Sequence, residues 1–170
     1  LAKSLSCIAH IHTPYQEKFG IPRQSGLVPV RGEIVFEEPY RNPDALRGIE
    51  EFSHLWLLWE FSEAGKEGFS PLVTPPRLGG KEKRGVFATR SPFRPNPIGL
   101  SCVRLDEVRR DERLGMVLVV FGADLLDGTP IYDIKPYLPY ADSYPEAAGG
   151  FGQEHRTDGI AVEFPEELLE

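Results

Sequence analysis

Apolar residues fall in short runs separated by turn-forming residues. Ser4–Thr13 holds Leu5, Cys7, Ile8 and Ile11. Val28–Phe36 alternates loosely and ends in Ile34-Val35-Phe36. Phe52–Phe61 reads FSHLWLLWEF, Gly85–Thr89 reads GVFAT, and Thr129–Ile134 and Ile160–Phe164 are further short runs. Runs of this length bounded by turn signals predict strands. In Ile98–Val108, Ile98, Leu100 and Cys102 share one side while Val103 and Leu105 fall out of phase, which predicts a bulge or burial on two sides. Leu114–Asp124 is nearly continuous apolar sequence, as in a strand covered on both faces. Seven or eight such strands predict a mainly β fold, a single compact β-barrel with short helices and long Pro/Gly-rich loops. Helical signals are few. Asn42-Pro43-Asp44 predicts a capped helix through Glu50, and Pro165–Glu170 a final turn.

Composition sharpens this picture. The 170 residues contain 17 Gly and 16 Pro, far more than a helical bundle tolerates, because both interrupt helices. Apolar residues at 41% still suffice for a packed core. The longest strongly apolar stretches, Leu55–Trp59 and Met116–Phe121, fall well short of the ~18 residues of a membrane span. No secretory leader is visible at the N-terminus, so the expected location is cytoplasmic, without membrane association. Cys7 and Cys102 lack C-x-x-C or zinc-finger spacing, so no metal is expected. Two small buried thiols in a reducing compartment are the main expectation, a single disulfide the alternative.

The net charge of −7 argues against a nucleic-acid partner, but it is unevenly spread. Arg77–Arg94 carries six basic residues (Arg77, Lys81, Lys83, Arg84, Arg90, Arg94) against Glu82 alone, interleaved with Phe87 and Phe93. A charge run is usually solvated surface, but basic residues interleaved with aromatics also suit an anionic partner. Glu146–Glu170 holds seven acids and one base.

Two segments carry candidate chemistry. Arg90–Gly99 reads RSPFRPNPIG, and its three prolines make a stiff loop that presents Arg and Asn side chains with little entropy to lose on binding. Asp124–Ile131 reads DLLDGTPI, with Asp127-Gly128 as a turn signal. Beyond it, Asp133, Lys135 and Tyr137 share one face of an extended chain. Phe19–Gly26 adds a Gly/Pro-rich loop with Arg23-Gln24, and His54 stands in an apolar run. Dinucleotide, P-loop, zincin and serine-hydrolase motifs are all missing, so a Rossmann-type donor site is not expected.

The strings GVFATRSPFRPNPIGLS (Gly85–Ser101) and DLLDGTPIYDIKPYLPYAD (Asp124–Asp142), with IPRQSGLVP and FSHLWLLWEF in the same order, closely resemble the TrmO family, also called TsaA-like or YaeB-like. The resemblance spans roughly residues 4–145. It implies a barrel methyltransferase that uses S-adenosylmethionine to methylate N6 of the threonylcarbamoyl-adenosine beside the tRNA anticodon, acting as a homodimer. Implied donor contacts are Pro22, Arg23, Gln24, His54, Leu55, Arg90, Leu100, Asp127, Gly128, Thr129 and Pro130. A methyltransferase domain over residues 1–145 is then followed by an acidic tail, 146–170, in place of the further C-terminal domain of many bacterial members.

The residues themselves suggest roles within that frame. Asp127 suits the donor's ammonium or ribose, Arg23 or Arg90 its carboxylate, and Leu55 and Leu100 its adenine. An amidic N6 must lose its proton, and Asp133 is the expected acceptor, with Tyr137 stacking or orienting. Lys81, Lys83, Arg84, Arg94 and Lys135 are expected to face RNA phosphates. Two other readings stay open: a non-catalytic barrel that binds donor or RNA as a regulator, and a methyltransferase acting on a small molecule.

Overall fold

The computed structural model describes residues 4–63, 68–154 and 165. It is mainly β, with eight strands and a few short helical turns. The strands are β1 (Ala9–His12), β2 (Arg31–Phe36), β3 (His54–Glu60), β4 (Leu72–Val73), β5 (Arg84–Gly85), β6 (Ile98–Asp111), β7 (Gly115–Phe121) and β8 (Thr129–Pro136). Six of them close on themselves in the antiparallel order β1-β2-β7-β6-β3-β8, with β8 returning to β1. Closure leaves no unpaired edge in this sheet. β4 and β5 form a separate two-stranded hairpin. Two four-residue helices follow, α1 (Pro139–Asp142) and α2 (Phe151–Glu154).

The barrel interior is filled from every strand, including Ile11, Ile34, Leu57, Val103, Leu118 and Ile131, each at most 1% exposed. Register brings these layers together: Ile11 lies opposite Ile34, and Ile34 opposite Leu118. β7 is buried on both faces as its composition predicts, from Val117 through Val120. β6 contains the expected irregularity, a register shift between Leu105 and Glu107 against β7.

Three expectations need correction. On β6 the inward positions are Gly99, Ser101 and Val103, whereas Leu100 is 54% exposed. The reason is Trp59, which faces Gly99 across the β3–β6 ladder and occupies the space a side chain there would need. The GVFAT run is not a strand beyond Gly85. Val86–Ala88 is a 3-10 turn, closed by Thr89, whose backbone N–H and hydroxyl both donate to the Val86 carbonyl. The helix after Asn42 is two 3-10 turns, Pro43–Leu46 and Ile49–Glu51. Asn42 does cap the first, accepting from Asp44 N–H at 3.0 Å, but Gly48 at φ 85° ends the run. The strand expected at Ile160–Phe164 and most of the expected terminal turn lie outside the described residues.

Candidate functional site

A cleft of about 950 Å³ opens at one end of the barrel. It lies where four chain segments meet: Gln16–Gln24, the end of β3 through Glu63, the proline-rich loop from Thr89, and Asp124–Thr129. Its volume is in the range of small-molecule sites.

The proline-rich loop is held by its own side chains as well as its prolines. The Arg94 guanidinium donates to the Val86 and Thr89 carbonyls at 3.2 and 2.8 Å and lies 5.7 Å from the Phe87 ring. Thr89 Oγ1 accepts from Ser91 N–H, and Ser91 Oγ from Phe93 N–H. Arg90 donates to the Gln24 side-chain carbonyl, joining this loop to the Arg23-Gln24 loop. That second loop is in turn pinned to the barrel. Gly26 N–H donates to Gly122 O, and Ser25 Oγ accepts from Cys102 N–H.

The inner wall is aromatic and acidic. The Trp59 and Phe61 rings pack at 4.3 Å. Trp59 Nε1–H donates to Ser101 Oγ at 2.9 Å, and Ser101 donates to Asp124 Oδ1 at 2.5 Å. Burial pushes the Asp124 carboxyl above its ordinary range, and the Ser101 bond only partly opposes this. Glu60, at the rim, accepts from the Tyr132 hydroxyl. Burial and then Glu60 push that phenol up to about 12. Among the described lining residues, Glu17, Glu60, Glu63 and Asp124 balance Lys18, Arg23, Arg90 and Arg94, so the cleft carries both signs equally.

The structure gathers Pro22, Arg23, Gln24, Arg90, Leu100 and Thr129 around this cleft, with Arg94 beside them. Other expected residues lie elsewhere. Leu55 is wholly inside the barrel, and His54 begins β3 about 20 Å from the cleft end at ~3.3 Å per residue. Asp127 turns toward the residues after β1, accepting from Thr13 N–H at 3.1 Å, Gln16 Nε2 at 3.3 Å and His12 Nδ1 at 3.3 Å. Burial pushes its carboxyl up, but these three donors outweigh it and hold it below the ordinary range. Gly128 supplies the positive φ of that turn, at 75°, and Pro130 sits in the β1–β8 ladder opposite His10.

Asp133, Lys135 and Tyr137 do share one face, but it is the barrel's outer face. Asp133 and Lys135 pair at 2.8 Å, and Tyr137 packs 5.7 Å from Trp56 and 6.2 Å from His54. Asp133 therefore does not border the cleft of its own chain. Arg94 is occupied by loop carbonyls, and Arg84 pairs with Glu82 at 2.5 Å. Lys81 and Lys83 are exposed.

Cleft residues that sequence reasoning missed include Trp59, Glu60, Phe61 and Asp124, with the buried Ser101 behind them. Asp124 had a legible signal, a carboxylate at the end of a run buried on both faces. The others depend on β3–β6 register. Register also assembles Cys7, His10 and Glu37, whose ligand atoms lie within 4.8 Å of one another and could together hold a cation. His10 Nδ1 and Glu37 pair at 2.7 Å, and Cys7 and Cys102 are free, partly buried thiols.

The chain is similar to several known proteins. The tRNA (adenine(37)-N6)-methyltransferase of Escherichia coli (strain K12) is 49% identical over 164 residues, covering 95% of this chain and 68% of that protein. A Pyrococcus abyssi protein, named a probable S-adenosyl-L-methionine-binding protein, is 44% identical over 137 residues, 79% of this chain and 68% of that one. The crystal structure of TrmO from Pseudomonas aeruginosa superposes with a TM-score of 0.79 at 42% identity, covering 98% of this chain and 70% of that one. A second TrmO crystal structure gives 0.71 at 43% identity, covering 88% and 64%. The chain thus spans about two thirds of the length of these proteins. The family model of the tRNA-methyltransferase O N-terminal domain matches residues 10–143, and this chain belongs to that family.

Proposed function

We propose that this chain is an S-adenosylmethionine-dependent tRNA adenine-N6 methyltransferase, and that the cleft binds the methyl donor. The observation that carries this is the cleft's charge pattern: four acids and four bases around an aromatic wall, with one of the carboxylates, Asp124, partly buried. S-adenosylmethionine has the complementary pattern, with a sulfonium, an ammonium, a carboxylate and a flat adenine. It supplies an electrophilic methyl group, and the chain's residues bind, orient and shield the reacting atoms.

Asp124, rather than Asp127, takes the cation-facing role. It borders the cleft, Ser101 fixes its orientation, and burial makes an opposite charge worth most there. Arg23 and Arg90 suit the donor carboxylate, with Arg90 set by Gln24. The packed Trp59–Phe61 pair and Leu100 supply apolar surface for adenine. The stiff proline-rich loop suits holding the acceptor nitrogen in line with methyl and sulfur, an alignment that lowers the barrier to transfer. Asp127 acts indirectly, through Gln16 at the rim.

The finer reading is that the acceptor is N6 of threonylcarbamoyl-adenosine beside the anticodon, with the chain working as a cytoplasmic homodimer and residues 1–145 forming the methyltransferase domain. The names of the Escherichia coli and Pyrococcus relatives support the activity and the donor. Calorimetry with S-adenosylmethionine tests the donor site, and no binding at millimolar donor overturns the proposal. Nucleoside mass spectrometry of tRNA from cells with and without the gene tests the acceptor. An unchanged level of the N6-methylated nucleoside overturns that assignment.

A further inference from the structure

A second concavity, of about 1330 Å³, adjoins the cleft and shares a wall with it. The shared residues include Arg23, Gln24, Thr89, Arg90 and Phe93. The two hollows differ sharply in charge. Among its described lining residues the second has Arg23, Lys83 and Arg90 and no acid, on a chain whose net charge is −7. It is also aromatic: Phe87 is 74% exposed, and Phe93 and Phe151 line it as well.

We infer that this groove is an acceptor subsite for single-stranded RNA, seating the nucleotides that flank the target adenosine while that base crosses the Arg90 wall into the cleft. The inference rests on the methyltransferase reading of the cleft. Arg23 and Arg90 stand on the wall shared with the donor cleft, so Lys83 is the groove's own cation, and no acid among the described lining residues opposes a phosphate there. An exposed ring on the Val86–Ala88 turn provides a stacking face for any base, and stacking requires the base to be unpaired. Phe87 is held for this by Arg94, whose guanidinium lies over the ring while anchored to the Val86 and Thr89 carbonyls. A paired duplex presents no free base face to Phe87, so the groove selects loops over helices.

The test uses the full chain, a fluorescently labelled anticodon stem-loop RNA and a fully paired duplex of the same length, read by anisotropy across a salt series. Phe87→Ala is expected to weaken stem-loop binding about tenfold, and Phe87→Trp to restore it. Lys83→Ala is expected to reduce the salt dependence by about one phosphate contact. Calorimetric affinity for S-adenosylmethionine should be unchanged in all three, because neither residue borders the cleft. Phe87 is exposed, so its loss leaves the fold intact, and circular dichroism checks this. The inference is overturned if wild-type chain binds no stem-loop or binds the duplex equally well. It is also overturned if Phe87→Ala and Lys83→Ala bind RNA as wild type does. Failure of the methyltransferase reading looks different: no donor binding and no methyl transfer, whatever the anisotropy shows.

Discussion

Gly99 on β6 lies against the indole of Trp59 on β3, so closely that a Cβ at residue 99 would stand 2.2 Å from Trp59 Cε2. Both residues border the cleft, and the pair sets its inner wall. Gly99→Ala must therefore displace the ring or the strand. Over-packing of this kind costs about 1–3 kcal/mol, so thermal unfolding should shift down by several degrees. Trp59 also donates to Ser101, which orients Asp124, so donor affinity should fall as well. Wild-type melting and donor binding in Gly99→Ala would show that the contact is slack.

Asp124 should oppose stability while serving binding. Its folded pKa is raised above the unfolded value, so the folded state holds its proton more tightly. Stability contributed by this group is greatest at acid pH and falls as pH rises through the interval between the two values. Asp124→Asn should then melt higher than wild type at neutral pH, with the difference shrinking in acid. The same substitution should weaken S-adenosylmethionine binding at least tenfold. A variant that melts higher and still binds donor normally would remove Asp124 from the site.

Asp127 should show the opposite pH sign. Its carboxyl is held below the ordinary range, so its contribution is present above that range and is lost as pH falls through the folded value. Asp127→Ala leaves the Thr13 N–H without its side-chain acceptor and frees Gln16, at a cost of about 1–3 kcal/mol. Asp127→Asn keeps an acceptor and should recover much of this. Chemical denaturation at pH 7 compares the three proteins.

Tyr132 should ionise far above the ordinary tyrosine range. Its phenol is pushed up to about 12 by burial and by Glu60, with which it is hydrogen-bonded. Ultraviolet difference titration should show a tyrosine ionising near 12, and Tyr132→Phe should abolish that step. Because the folded value is raised, this group's contribution to stability is lost as pH climbs from the ordinary tyrosine range toward 12.

The mainly β character, the positions of the six barrel strands, the double burial of β7 and the β6 irregularity follow from local pattern, whereas the GVFAT run misled and β4 gave no signal. Periodicity and turn chemistry act over a few residues, so the linear chain displays them. The proline-rich loop is equally legible, because proline restricts its own backbone and that of the residue before it. The family resemblance also lies in contiguous strings such as TRSPFRPNPIGLS, and residues from those strings, Arg90 and Leu100, do border the cleft.

What only the tertiary structure decided is which faces meet. Along the chain Asp133 stands out and Asp124 does not, yet Asp133 pairs with Lys135 on the outer face while Asp124, bonded by Ser101, borders the cleft. The inward side of β6 was settled by the bulk of Trp59 opposite Gly99, a contact between residues 40 positions apart. Strand alternation leaves two choices of face, and only packing against a neighbouring strand selects one. The sequence by itself therefore determined the elements and the family of this protein. Register and burial, which are properties of pairs of distant segments, determined which of its carboxylates and aromatics form the site.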